Sequence, residues 1–417
     1  MARTAKVIYP EDKLPFIPNV IAGLQHVIAM FGATVLGPLL MGFNPNVAIF
    51  FSGIATLIFY VAVRGRIPSY LGSSFSFIAA VIAATAYTGS GQNLNISPAL
   101  GGIIVAGALY AAIGLIVVLV GYKWIERVMP PVLTGAIIAI IGLNLAPVAV
   151  HQINGSLFNT LFGLFTILLV ALSAVYLQGF FARLPILIGG GLSYLVYFFF
   201  CNIGQMGKSI DFSGIASVAW FGLPHFAAPA FDSTSIFLIA PVAIILVAEN
   251  LGHVRAIGAM TGRDLDPDLG RAFMGDGIAT MISGCFGGTG VTTYAENMGV
   301  MAITKNFSSR TFVAAAIIAI CFGLSPKFGA AIQTIPLPII GGLSFVVFGL
   351  ITATAGRIWV ENKVDFTNPR NLIVVGVAVV IGAGDLTLKF GSFALGGIAV
   401  ATFGALILYH ILTFRRA

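Results

Sequence analysis

Gly287-Gly288-Thr289-Gly290-Val291-Thr292-Thr293-Tyr294-Ala295-Glu296-Asn297-Met298-Gly299 sets a carboxylate and an amide inside a glycine-rich, otherwise apolar run. The surrounding chain makes this costly. Of 417 residues, 58% are hydrophobic and 8% charged, where a soluble domain carries about 25% charged residues. The chain is therefore read as an integral membrane protein. A carboxylate at membrane depth is rare and faces a bundle interior or a wet cavity, which makes Glu296 a functional-site candidate. About fifty residues earlier, Glu249 and His253 in Leu246-Val247-Ala248-Glu249-Asn250-Leu251-Gly252-His253 invite the same reading.

Working outward, Leu14 to Val63 and Ile67 to Tyr122 contain no Asp, Glu, Lys or Arg, and each is long enough for two spans of about 20 residues. The first sixteen residues lack the short apolar core and small-residue cleavage site of a signal peptide, so the first span is expected to be retained. Apolar runs bounded by glycine, proline and charge give fourteen candidate spans. They lie near 17–40, 45–63, 67–86, 97–121, 130–149, 157–180, 184–203, 234–254, 270–285, 291–304, 310–325, 335–355, 370–385 and 393–413. With fourteen crossings and a cytoplasmic N-terminus, eighteen of the 21 Lys and Arg residues fall inside, and Lys208, Lys327 and Lys389 fall outside. One span more or fewer would scramble this partition. The net charge of +7 is thus read as topology rather than as an acidic partner.

The chain also repeats itself. Pro131-Val132-Leu133-Thr134-Gly135, with Gly142-Leu143, matches Pro338-Ile339-Ile340-Gly341-Gly342, with Gly349-Leu350, at identical spacing. Leu24-Gln25-His26-Val27 echoes Leu251-Gly252-His253-Val254. Each pair is seven spans apart, and an odd number reverses orientation. The expected fold is all-α and polytopic, with fourteen spans in two inverted seven-span repeats and the substrate near the midplane where they meet. Spans three and ten break the pattern. Ile67-Pro68-Ser69-Tyr70-Leu71-Gly72-Ser73-Ser74-Phe75 and Gly287 to Tyr294 put proline or glycine with hydroxyl residues where a spanning helix would be continuous. Each is expected to enter extended and become a half-helix midway, with its free N–H groups directed at a ligand.

Glu249 and His253 are four apart and share a helix face. A buried carboxyl beside an imidazole suits proton coupling, and the bland alternative is a structural hydrogen bond. Glu296 is either a helix cap or an acceptor for N–H donors of a small planar ligand whose carbonyls meet backbone N–H groups near Tyr294 to Glu296. Phe75 offers a stacking face, or packing. His26, the repeat counterpart of His253, is either a polar wall or packing. His151, His225 and His410 are read as interfacial, Asp264, Asp266 and Asp268 as a solvated cytoplasmic turn, and Cys201, Cys285 and Cys321 as core packing. No phosphate-binding GxxxxGK[ST], HExxH or GxSxG occurs, so neither ATP-driven transport nor hydrolysis finds support, and no cofactor or metal is expected.

At these residues the chain resembles the nucleobase/cation symporter family, also called nucleobase/ascorbate transporters, and within it most closely the bacterial uracil permeases. The family signature, Gln/Glu/Pro-Asn-x-Gly-x-x-x-x-Thr-Arg/Lys/Gly, is matched by Glu296-Asn297-Met298-Gly299-Val300-Met301-Ala302-Ile303-Thr304-Lys305. Gln25-His26, Tyr70-Leu71-Gly72-Ser73-Ser74-Phe75 and Ala248-Glu249-Asn250-Leu251-Gly252-His253 are also similar. The resemblance implies a core domain of residues 1–124 and 234–330 and a gate domain of residues 125–233 and 331–417. It implies uracil import by proton symport with alternating access, or alternatively a xanthine or broad nucleobase carrier. Carried over, Phe75 stacks on the base, Glu249 and Glu296 hydrogen-bond it, and the backbone at Ala295 contributes. His253 joins Glu249 in proton coupling, with Gly72, Tyr294, Asn297 and His26 in support. Purine-transporting relatives often carry Gln where this chain has Glu296, which favours a pyrimidine. A bacterial inner-membrane location with cytoplasmic termini and a homodimer through the gate domains are further implications, and no nucleic-acid partner is expected.

Overall fold

The structure is a computed structural model, and it describes residues 7–87, 89, 91–179, 181–390 and 393–414. Arg3, Lys6, Arg415 and Arg416, placed inside by the charge partition, lie outside the described residues. The first two spans are the helices α1 (Phe16–Met41) and α2 (Pro45–Ala62). The Asn44 side chain accepts the Asn46 N–H at the start of α2, with Pro45 at the first helical position, where its missing N–H has no intrahelical partner to lose. The third span is strand β1 (Leu71–Ser73), a tight turn Phe75–Phe77 and a half-helix α3 (Ile78–Thr85). Then come α4 (Ile96–Val120), α5 (Pro131–Asn144), α6 (Leu157–Tyr176) and α7 (Pro185–Phe198).

The second half repeats this order with α8 (Val242–Thr261), α9 (Leu269–Cys285), strand β2 (Val291–Thr293) leading into the half-helix α10 (Ala295–Thr304), and α11 (Ser309–Gly323). It closes with α12 (Leu337–Glu361), α13 (Pro369–Ala383), the hairpin β3 (Leu388–Phe390) and β4 (Phe393–Leu395), and α14 (Gly397–Phe414). Each of the fourteen sequence segments thus overlaps one of these helices. Among the described residues, eight helices are long and apolar enough to cross a bilayer, with Pro131–Ile153 and Ser233–Thr261 each counted as one, or nine if α11 and the helix Pro326–Gln333, bent from it by 79°, also count as one. The half-helices α3 and α10 gain their reach from the strands before them.

Three boundaries differ from the sequence reading. The fifth span breaks at Leu145 and resumes as Ala146–Ile153; Pro147 there has no N–H to continue the ladder. The eighth starts as a separate helix, Ser233–Ile239, and breaks at Ala240-Pro241 for the same reason. The run placed at 393 opens as strand β4, and its helix begins at Gly397.

Packing follows the internal symmetry. Helix α2 packs on α11 as α9 packs on α4, α6 packs on α7 as α13 packs on α14, and α5 packs on its own repeat counterpart, α12. Small residues let α4 and α9 approach closely: a Cβ on Gly107 would stand 2.8 Å from the Gly277 carbonyl oxygen, and one on Gly114 2.8 Å from that of Gly270. Lipid tails are as apolar as leucine, so backbone proximity of this kind is what holds such helices together.

Both ends of the described chain lie on one face. Ile8 bridges Asn306, and Glu11 accepts two hydrogen bonds from Arg263, at 2.6 and 2.9 Å. That guanidinium holds the Glu11 carboxyl below the ordinary range for glutamate. Arg255 joins Asp266 at 2.8 Å and also Glu126, while Arg66 reaches Asp268 at 3.4 Å, so Asp266 and Asp268 of the acidic turn are ion-paired rather than simply solvated. His410 meets the Val128 carbonyl at 3.2 Å and Arg370 meets Thr413 at 3.3 Å on this same terminal face. The α13–α14 hairpin, at the other end of α13, marks the opposite face.

Candidate functional site

The centre is built by two three-residue strands. β1 and β2 pair antiparallel, with Leu71 opposite Thr293, Gly72 opposite Thr292 and Ser73 opposite Val291. Ser74 N–H to Gly290 O (2.9 Å) and Tyr294 N–H to Tyr70 O (3.0 Å) extend the ladder at its ends. Backbone groups at membrane depth have to be satisfied inside the protein, and here each broken span satisfies the other. Symmetry-related helices hold the strands. Thr56 on α2 accepts the Leu71 N–H at 2.9 Å, and Thr280 on α9 accepts the Val291 N–H at 3.2 Å.

Gly72 is required by its neighbour: a Cβ there would lie 2.5 Å from the Tyr294 ring. That ring is fixed by its hydroxyl, which donates to Ser73 O (3.0 Å) and accepts from Thr34 Oγ1 (3.2 Å). Beyond the strands the two half-helices begin. The N–H groups of a first helical turn have no intrahelical acceptors, and at α10 no side-chain cap stands in for them. Ala295 and Glu296 occupy that turn.

Glu249 lies in the third turn of α8. Its Oε2 accepts hydrogen bonds from Ser76 Oγ at 3.1 Å and Ser74 Oγ at 3.5 Å, both from the start of the opposite half-helix. His253, one turn further on, pairs through Nδ1 with Thr293 Oγ1 at 2.9 Å. The two side chains share a helix face, as their spacing requires, but each takes a partner from a different broken span. Both line a cavity of about 630 Å³ together with Phe75, Tyr294, Ala295 and Glu296. The Phe348 ring of α12 stands edge-on to Phe75, with centroids 6.4 Å apart. From the strands the cavity runs past Ile303 and Thr354 to Arg357, towards the terminal face.

Three of the sequence candidates stand behind this wall. Gly72 seats Tyr294 as described. Asn297 donates through Nδ2 to His26 Nδ1 (3.1 Å) and to the His26 carbonyl (3.0 Å), and the His26 ring packs 4.4 Å from Phe312. This pair ties α10 to α1 and α11 without lining the cavity. The packing reading of the cysteines holds for Cys201 only. Cys285 and Cys321 are exposed, since in a membrane protein an apolar thiol is as well placed on the outer surface as in the core.

One carboxylate was not anticipated. Asp276, in the middle of α9, is fully buried and accepts a hydrogen bond from Asn250 Nδ2 at 2.5 Å. Asn250 Oδ1 accepts from Thr293 Oγ1 at 3.5 Å, which links His253, Thr293, Asn250 and Asp276 in one line across α8, β2 and α9. A hydroxyl has one proton; given to Asn250, it leaves Thr293 as the acceptor of a His253 Nδ1–H. The signal was present in the sequence as the one acidic residue between Arg271 and Cys285. Two carboxylates, uncapped helix N–H groups and an aromatic face around one cavity suit a flat ligand that alternates N–H and C=O groups.

The family model Xan_ur_permease, described as the Permease family, matches residues 18–390. The putative pyrimidine permease RutG of Escherichia coli K12 is 55% identical over 407 residues, covering 98% of this chain and 92% of its own length. The uracil permease of Paenibacillus larvae is 39% identical over 416 residues, covering 97% and 96%. The uracil permease of Escherichia coli K12 is 38% identical over 409 residues, covering 96% and 92%. Among solved structures, the murine anion transporter Slc26a9 in its inward-facing state superposes with a TM-score of 0.70 at 12% identity, over 98% of this chain and 70% of that one. The transmembrane domain of the cyanobacterial bicarbonate transporter BicA gives 0.64 at 16% identity, over 95% and 98%. At such identities the likeness is one of fold.

Proposed function

The chain belongs to the Permease family Xan_ur_permease, and from that premise we propose that this multi-pass membrane nucleobase transporter imports uracil, and other pyrimidines, by proton symport. The observation that carries the reading is the pair of carboxylates, Glu249 and Glu296, on one cavity beside the uncapped first turn of α10. In this reading the ring N–H groups of the base donate to the carboxylates, its carbonyls accept from the N–H groups at Ala295 and Glu296, and Phe75 stacks on its face. Glu249 and His253 carry the coupled proton. Tyr294 and Gly72 keep the strands in register, and Asn297 with His26 anchors α10.

The two segments 1–124 and 234–330 act as a core that moves against a gate formed by 125–233 and 331–417. The packing of α5 on α12 and of α2 on α11 supports that division. The terminal face is cytoplasmic at a bacterial inner membrane, a reading supported by the eighteen cations assigned to it, and two copies meet through their gates. A second reading, a xanthine or broad nucleobase carrier, is favoured by one feature: a cavity of about 630 Å³ leaves room for a bicyclic base.

Uptake of labelled uracil into proteoliposomes under an inward proton gradient, with xanthine, thymine and adenine as competitors, tests both. Accumulation that collapses with a protonophore and is blocked by pyrimidines is the expected result. Xanthine accumulation without uracil accumulation would move the function to a purine carrier.

A further inference from the structure

Ser76 borders two cavities. One is the large cavity around Glu249; the other, of about 80 Å³, also touches Ala80, Asn144 and Asp385 and lies towards the opposite face. Water takes about 30 Å³ per molecule in the liquid, so the small cavity accommodates a few waters but no pyrimidine ring. At its mouth the exposed Asp385 is held in place: Oδ1 accepts from Asn144 Nδ2 and from the Gly397 N–H, each at 3.1 Å. At its inner end the buried Ser76 hydroxyl donates to Glu249 Oε2 at 3.1 Å. Between them the α3 wall is alanine, which leaves the space open.

The geometry points to a proton route from the opposite face to Glu249 through this small cavity and the Ser76 hydroxyl, separate from the path of the base. The inference rests on the proton-symport reading. In the transfer, a hydronium in the cavity gives a proton to Ser76 Oγ as Ser76 passes its own proton to Glu249 Oε2. The hydronium becomes water, the carboxylate becomes a carboxylic acid, and Ser76 ends with one proton as it began. The Asp385 carboxylate raises the local concentration of cations at the entrance. Lys389, on the same hairpin, is the one other charged residue between Gly384 and Gly396. Around Glu249 the titratable and charged groups are Glu296, His253, Tyr294 and Arg357 on the cavity, Asp276 on α9 and Tyr110 on α4.

The test uses the full chain in proteoliposomes and compares gradient-driven uracil uptake with uracil–uracil counterflow at equal acidic pH on both sides, where no net proton movement is needed. Ala80→Leu, which fills the small cavity, and Asp385→Asn are expected to slow gradient-driven uptake, the former by about tenfold or more, with counterflow at the wild-type rate. Ser76→Ala is expected to lose gradient-driven uptake and Ser76→Thr to restore it, which decides the matter should Ala80→Leu fail to fold. Wild-type gradient-driven uptake in Ala80→Leu and Ser76→Ala would overturn the route. A wild-type protein whose uptake ignores the gradient would instead overturn proton symport itself.

Discussion

At Gly72 the structure leaves no room for a side chain, and the space is taken by the ring that bridges the two strands. Gly72→Ala is expected to destabilise the protein by about 1–3 kcal/mol, the usual cost of overpacking a close-fitted site. A fall in melting temperature in detergent reads it; an unchanged midpoint would mean that Tyr294 moves aside freely. Phe75→Ala is expected to weaken uracil binding by roughly 1–3 kcal/mol, as for base stacking on aromatic side chains elsewhere. Equal affinity by calorimetry would return Phe75 to packing. Glu249→Gln keeps the shape but not the titratable group, and is expected to abolish gradient-driven accumulation. Glu249, His253 and Glu296 were legible because charge in an apolar run is conspicuous. Their partners were not: Thr293 meets His253, and Ser76 meets Glu249, only because two distant half-spans are brought together. Asp276 was visible but stood in no motif, so a reading led by motifs passed over it.

At the scale of elements, the breaks in spans three and ten followed from proline, glycine and hydroxyl residues, and they appear as strand followed by half-helix. The breaks at Leu145 and Ala240-Pro241 did not, because a single proline in a long apolar run kinks as readily as it ends a helix. The close seam between α4 and α9 depends on glycines at 107, 114, 270 and 277. Gly277→Val is expected to part these helices and lower stability by several kcal/mol, since the nearest obstacles are the backbone of Ala111 and the Gly107 carbonyl. Because Thr280 on the same helix carries β2, reduced uracil affinity is expected with it. The N-terminal segment is tied down by Glu11 and Arg263. A carboxyl held below its ordinary range contributes stability that is present above that range and lost as pH falls through the lower, folded value. The contribution is small because the pair is largely exposed.

For the whole molecule, hydropathy was enough to place the apolar helices in order along the chain, and an internal match at 131 and 338 marks the two helices, α5 and α12, that pack on each other. Which face the cavity opens to was not in the sequence, since it depends on how the repeats lean on one another. The large cavity runs to Thr354 and Arg357 on the terminal face. Thr354→Cys is therefore expected to react with a membrane-impermeant thiol reagent applied to that face, and Lys389→Cys to one applied to the other. Cys285 and Cys321 are exposed and have to be replaced first. Labelling of Thr354→Cys from the hairpin side alone would reverse the assigned orientation of the cavity.

The pairing of β1 with β2 also bears on how the chain is made. Residues 71–73 leave the ribosome about two hundred residues before 291–293, an interval of roughly 10–40 s at ordinary translation speeds. Throughout that time the backbone of the first half-span has no strand to pair with, at a depth where bare amides are costly. The nascent amino-terminal half therefore has to wait, shielded by the insertion machinery or held at the membrane surface, until its mirror image arrives.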